Sequence, residues 1–259
     1  MLPKIFKPFK SNINNLIRIG PKKDGGYVID KRVIKKTNKI ISCGLNDDWE
    51  FEKEFLKINQ KCKIIAYDHT VDKKFWVKRF KKDIISLLLF KKLTLDKIVE
   101  VFKYISYLNF FKDVNKHLIK KVVNNERKKN EISIKNILKN QSNIILKIDI
   151  EGDEYKILEH INKEFLKINL FIIEFHNIHK NLNKIKNFIK QTKFKIIHIH
   201  GNNYGGINKN NDPKVVEMTF INSKKFKTSK DKSNFNYPII GLDYKNLKRR
   251  PDIKLKFHE

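Results

Sequence analysis

The sequence predicts an α/β domain built on a mostly parallel, seven-stranded sheet with an antiparallel last strand, and three observations carry that prediction. Apolar runs of strand length alternate with segments of helical period from about residue 37 to 222. The first runs end in Gly or an acid, residues suited to the ligand edge of a parallel sheet. The last two runs are joined by "GNNYGGINKNNDP", which has no apolar period and so links a hairpin rather than a crossover helix.

Taken in order, "NLIRIGPKKDGGYVIDK" reads as two short strands around a Gly-rich turn at Asp24-Gly25-Gly26, an N-terminal extension over residues 1–36. "NKIISCG", "EFEKEFLKIN" and "CKIIAYDHT" follow as strand, helix and strand, the βαβ unit of a parallel sheet. From about Phe75 to Phe111 the period is helical with a broad apolar stripe, an inserted helical pair over about 72–112. "HLIKKVV" is a short third strand and "EISIKNILKN" a helix, while "NIILKIDI" and "DEYKILEHIN" are the fourth strand and its helix. "INLFIIEFHNIH" is the fifth strand, "NLNKIKNFIKQT" a helix, "FKIIHIHGNN" the sixth strand and "KVVEMTFIN" the seventh. This succession describes the Rossmann-like architecture of class I methyltransferases, with the core over 37–222. The Lys-rich tail over 223–259 keeps "YPIIGLDY" and "IKLKF" and is expected to pack on the core.

With 259 residues the chain suits one domain, and 40% hydrophobic residues in periodic segments exclude disorder. Lys plus Arg number 57 against 28 acids, a net charge of +29. Such a balance ordinarily points to nucleic acid or an anionic surface. Here the excess is scattered and travels with Asn and Ile, as an AT-rich coding sequence would give, so only non-specific electrostatic binding of nucleic acid is expected. Cys43 and Cys62 fall at opposite ends of neighbouring strands, too far apart for a disulfide, and are expected as buried free thiols. No apolar run has the length of a signal peptide or membrane span, so a cytoplasmic location is expected.

Ligands of an open parallel sheet bind beyond the carboxyl ends of its strands. After the first strand, "CGLNDDWEFE" has one Gly where a dinucleotide fingerprint needs three. Asp47, Asp48, Glu50 and Glu52 crowd that helix start, repelling a pyrophosphate but suiting a ligand with an amine and a positive charge, such as S-adenosylmethionine. Gly44 would let backbone approach the ligand, and Asp68, ending the second strand, would accept hydrogen bonds from a ribose. In "KIDIEGDE", strand alternation puts Asp149 and Glu151 on one face toward the reacting centre, while Asp153 and Glu154 complement the next helix dipole. Glu174, inside "LFIIEFH", needs a partner because an unpaired buried carboxylate costs several kcal/mol. His176, one pleat further, is placed to deprotonate a hydroxyl. His198 and His200 share a face, but the seventh strand would hold His200 about 10 Å from His176, too far to share an ion. No metal site is assigned, and Asp149 with Glu174 or His176 is the one arrangement the strand order permits.

Together "RIGPKKDGGYVI", "IISCGLNDDWEFE", "IIAYDHT", "ILKIDIEGDEYKIL", "FIIEFH" and "IHIHGNN" followed by "VEMTF" resemble the FkbM-type S-adenosylmethionine-dependent methyltransferases, over about Arg18 to Phe220. The resemblance implies a class I methyltransferase fold and methyl transfer, commonly to a hydroxyl of a sugar, glycan or other small acceptor. Cofactor-side residues would be Gly44, Asn46, Asp47, Asp68, His69 and Asp149, with His176, Glu151 and Asp149 at the chemistry. The chain departs from the usual first motif in its single Gly and carries the helical insertion, which with the loop Gly201 to Asp212 would cover the pocket. Two other readings share the fold: a non-catalytic module binding a polyanion such as RNA, and an RNA methyltransferase.

Overall fold

The computed structural model describes residues 1–89 and 102–258. A hairpin of β1 (Leu16–Ile19) and β2 (Tyr27–Asp30) precedes β3 (Lys39–Cys43), α1 (Glu50–Ile58) and β4 (Lys63–Tyr67). Then come α2 (Lys73–Leu89), α3 (Lys103–Phe110), β5 (Lys116–Leu118), β6 (Lys121–Val123), β7 (Glu131–Ser133) and α4 (Ile134–Leu138). The chain continues through β8 (Ile144–Ile148), α5 (Leu158–Lys163), β9 (Ile168–Phe175), α6 (Ile178–Gln191), β10 (Phe194–Gly201) and β11 (Val216–Asn222).

The main sheet runs β10-β11-β9-β8-β3-β4-β5. β3 pairs in parallel with β4 and β8, and β8 with β9, whereas β11 is antiparallel to both β9 and β10. This is the strand order of the Rossmann-like class I methyltransferase fold. Every residue of β8 and β9 is buried, which is why both read as continuous apolar runs.

Alternation divides the core between the sheet's two faces. Ile40, Ile64, Ile145, Leu170 and Ile172 pack with Phe51 and Phe55 of α1 and with Leu16, Ile19 and Val28 of the hairpin. Their neighbours Ile41, Leu146, Phe171 and Ile173 pack on the other face with Ile137, Ile161, Ile185 and Phe188 from α4, α5 and α6. A third cluster joins Trp49, Ala66, Val71 and Trp76 to Tyr104, Tyr107, Phe110 and Phe111, with the Trp76 and Tyr107 rings 4.7 Å apart. It docks the inserted helices over the ends of β3 and β4, and the middle of the predicted insertion, 90–101, lies outside the described residues.

Three predicted elements differ. "HLIKKVV" is two strands, because only Lys116–Leu118 reaches β4, while Lys121–Val123 pairs with Glu131–Ser133 as a separate ribbon. The helix expected over "EISIKNILKN" therefore starts late, at Ile134, where the Ser133 side chain accepts a hydrogen bond from Asn136 N–H. "DEYKILEHIN" opens as a 3-10 turn at Glu154–Lys156 and becomes helical only at Leu158. Tail residues meet the core: Tyr237, Ile239, Ile253 and Leu255 share a cluster with Ile199 and Met218, and Asn203 Nδ2 donates to the carbonyls of Leu247, Arg250 and Pro251.

Candidate active site

β8 stops at Ile148, and the next four residues turn at the carboxyl edge of the sheet. Asp149 N–H donates to the Cys43 carbonyl at 2.8 Å, which presses this turn against the loop after β3. Gly44 sits there at φ +85°, and a Cβ on it would lie 1.7 Å from the Asp149 carbonyl oxygen. Gly44 thus makes a close backbone approach to Asp149. Glu151 lies past the strand end at φ +54°, so the turn rather than the pleat brings its side chain toward Asp149.

His176 follows the last residue of β9, and its ring Nδ1 is 2.7 Å from Glu154 Oε1. That oxygen also accepts from Gly152 N–H at 3.0 Å. The dipole role expected of Glu154 is corrected here: the 3-10 turn points it inward, fully buried, to hold the imidazole. A carboxylate on Nδ1 places the ring proton there and leaves Nε2 facing the other acids. Around Nε2 stand Glu151 Oε2 at 3.4 Å, Glu174 Oε1 at 3.7 Å and Asp149 Oδ1 at 3.8 Å. Burial draws the His176 pKa down, but Glu154, Asp149 and Glu151 outweigh it and hold it above its ordinary value.

The surrounding acids are crowded as well. Asp149 is pushed up to about 7, first by burial and then by Glu151, while His176 and Lys147 pull it back. Glu174 is raised well above the carboxylate range, by burial and then by Asp149, Glu217 and Asp24. The partner expected for it is Asn202, whose Nδ2 donates to Glu174 Oε1 at 2.7 Å. Glu217 of β11 faces Glu174 across the strands and accepts from Asn246 Nδ2 at 2.6 Å. Asp24, from the hairpin turn, accepts from the same amide at 2.8 Å, so the "DGG" turn joins this group of acids from the far side of the chain.

The other predicted residues lie along the loop after β3 and the end of β4. Asp68 Oδ2 accepts from the N–H groups of Leu45 and Asn46, and Oδ1 from Thr70 N–H and Oγ1. Each oxygen has two donors within the chain, so a ribose at this position would have to displace one of them. Burial alone would raise its pKa, and these donors from Thr70, Asn46 and Leu45 more than reverse that. Asn46, at φ +50°, and His69 are exposed. Asp47 is paired with Arg79 at 2.5 Å and Lys103 at 3.3 Å, tying the loop to α2 and α3. Glu52, expected among acids facing a ligand, is buried and accepts from Ser42 Oγ and Lys147 Nζ. His198 and His200 bind elsewhere: His198 to Asp243, and His200 between Glu217 and Asp252.

Sequence reasoning missed Glu154 and Lys147. A signal for the second was present, since a Lys flanked by Ile and Leu within the strand "IILKI" must find a buried acid. Among the described residues no helix is long and apolar enough to cross a membrane.

No protein-family model matches the chain, and no curated protein does. Among solved structures, it is similar to the fibrillarin pre-rRNA processing protein of Methanococcus jannaschii, with 9% identity and a TM-score of 0.38 over 73% of this chain and 67% of that one. It is also similar to a precorrin-6y methyltransferase from Geobacter metallireducens, with 8% identity and a TM-score of 0.35 over 73% of this chain and 85% of that one. The fold itself rests on this chain's own strand order and register.

Proposed function

We propose that the chain is an S-adenosylmethionine-dependent methyltransferase of the FkbM type, acting on a hydroxyl oxygen of a sugar, glycan or other small molecule. The supporting observation is the imidazole of His176, held on one nitrogen by buried Glu154 and presenting the other at the carboxyl edge of a sheet with this strand order. The residues suit the cofactor, since a sulfonium and an amine are cationic and Asp24, Asp149 and Glu174 line that edge. When bound, the cofactor supplies an electrophilic methyl carbon.

In this reading Gly44, Asn46, Asp47, Asp68, His69 and Asp149 form the cofactor side. Asp68 shapes the loop through the Leu45 and Asn46 amides, and ribose binding requires one of its present donors to give way. On the acceptor side Asp149, Glu151 and His176 orient the hydroxyl and draw off its proton as the oxygen bonds to the methyl carbon. The aromatic cluster of Trp49, Trp76 and Tyr107 and the loop Gly201 to Asp212 keep water away.

Calorimetric titration with S-adenosylhomocysteine tests the reading without an acceptor. The parent binds, Asp68→Asn binds about 10- to 100-fold more weakly, the equivalent of ~1.5–3 kcal/mol for hydrogen bonds to a charged group, and His176→Asn binds like the parent. A parent protein that takes up no S-adenosylhomocysteine at millimolar concentration ends this reading.

A further inference from the structure

We propose that Asp149, Glu151 and His176 bind a divalent cation, with Glu154 fixing the imidazole for it. The inference rests on the methyltransferase reading only for what the ion does there. The residues and their distances argue for the ion on their own.

The imidazole is held as metal-binding imidazoles are, one nitrogen on a carboxylate and the other turned outward. Around the outward nitrogen stand three carboxylate oxygens at 3.4, 3.7 and 3.8 Å, and Nε2 hydrogen-bonds to none of them. An ion about 2.1 Å from each ligand sets neighbouring ligand atoms about 3.0 Å apart and opposite ones about 4.2 Å apart. The ligand atoms of Asp149, Glu151 and His176 all lie within 4.8 Å of one another, so shifts of a few tenths of an ångström would close the shell.

An imidazolium alone accounts poorly for this arrangement. It has two N–H groups, one already on Glu154, yet four carboxylates surround it: Asp149, Glu151, Glu154 and Glu174. Asp149 Oδ1 points toward Nε2 and meets neither solvent nor a hydrogen-bond donor. Glu174 is more than nine-tenths buried. The Glu174 oxygen already has Asn202 as a donor, so the unpartnered Asp149 oxygen facing the ring nitrogen is the one a cation would satisfy. Carboxylates with one imidazole and no thiolate favour a hard to borderline ion such as Mn²⁺ or Mg²⁺. With the ion bound, the imidazole is a ligand rather than a base, and the cation itself acidifies the acceptor hydroxyl.

The test uses the full chain stripped with chelator and titrated with Mn²⁺, the free ion being followed by its electron paramagnetic resonance signal. One ion per chain is expected, with Asp149→Asn and His176→Gln each weakening binding by about tenfold or more. Glu151→Gln changes an exposed side chain that folding does not need, so weakened Mn²⁺ binding in this variant, with an unchanged circular dichroism spectrum, supports the site even where the buried variants misfold. Absence of bound Mn²⁺ at millimolar concentration, or parent-like affinity in Glu151→Gln together with any folded variant at Asp149 or His176, overturns it. S-adenosylhomocysteine titrated into the same samples separates the two ideas. Cofactor uptake without Mn²⁺ sinks the ion alone, and Mn²⁺ uptake without cofactor leaves the ion standing and removes the methyltransferase reading.

Discussion

Lys147 illustrates what one residue must resolve inside this sheet. It stands in the middle of β8 with its Nζ 2.9 Å from Glu52 Oε1, a carboxylate that is itself fully buried. Burial lowers the Lys147 pKa, but the Glu52 charge and hydrogen bond outweigh it and leave it raised. Neither charge is tolerable without the other, since a buried pair broken on one side leaves an uncompensated ion. Lys147→Met is therefore expected to destabilise the fold by about 3–5 kcal/mol. Adding Glu52→Gln should restore most of that loss, because the stranded charge goes with it. Urea unfolding of the two single variants and the double variant measures the coupling, and additive losses would show that the pair does not act as a unit.

At the scale of elements, the decisive junction is where the loop after β3 meets the turn after β8. Gly44 combines a left-handed backbone with direct contact on the Asp149 carbonyl. Gly44→Ala meets both penalties, a positive-φ strain of about 1–2 kcal/mol and a clash that forces the two segments apart. A loss of at least ~2 kcal/mol follows, seen as a lower urea midpoint. Because the same contact positions Asp149 beside His176, the variant should also lose cofactor affinity. A Gly44→Ala protein with parent stability would mean that the β8 turn can move away from β3 without cost.

For the molecule as a whole, the tail closes over the antiparallel end of the sheet through buried ion pairs. His200 of β10 lies between Glu217 of β11 and Asp252 of the tail. Burial would lower its pKa, but Asp252 and Glu217 raise it to about 10, with Asp243 adding to them. A histidine whose folded pKa exceeds its unfolded value near 6.5 stabilises the fold fully below that value and stops doing so as pH rises through about 10. Stability should thus decline between roughly pH 6.5 and 10, and Asp252→Asn should flatten the decline by removing the largest cause of the shift. Urea midpoints of both proteins across this range test the claim, and parallel curves would show that Asp252 does not set the His200 charge. Acids concentrate at the carboxyl edge and under the tail, where buried histidines and amides hold them.

The seven-stranded succession, apart from the ribbon after β5, and the strand-end positions of Asp149, Asp68, Glu174 and His176 were legible in the sequence. They depend on local period and on strand ends, and a parallel sheet carries every such end to the same side. What those residues touch depended on the tertiary structure. Glu154 reads as an acid at a helix start, and only a 3-10 turn, followed by β9 coming alongside, aims it at His176. Glu52 has the same local appearance but from α1 meets Lys147 of β8, a partner 95 residues away. Asp68 has the sequence position of a ribose acceptor, yet one oxygen holds the Leu45 and Asn46 amides brought back from the loop after β3 while Thr70 holds the other. In each case the deciding energy is the desolvation of a charge, and residues distant in sequence supply part of what compensates it.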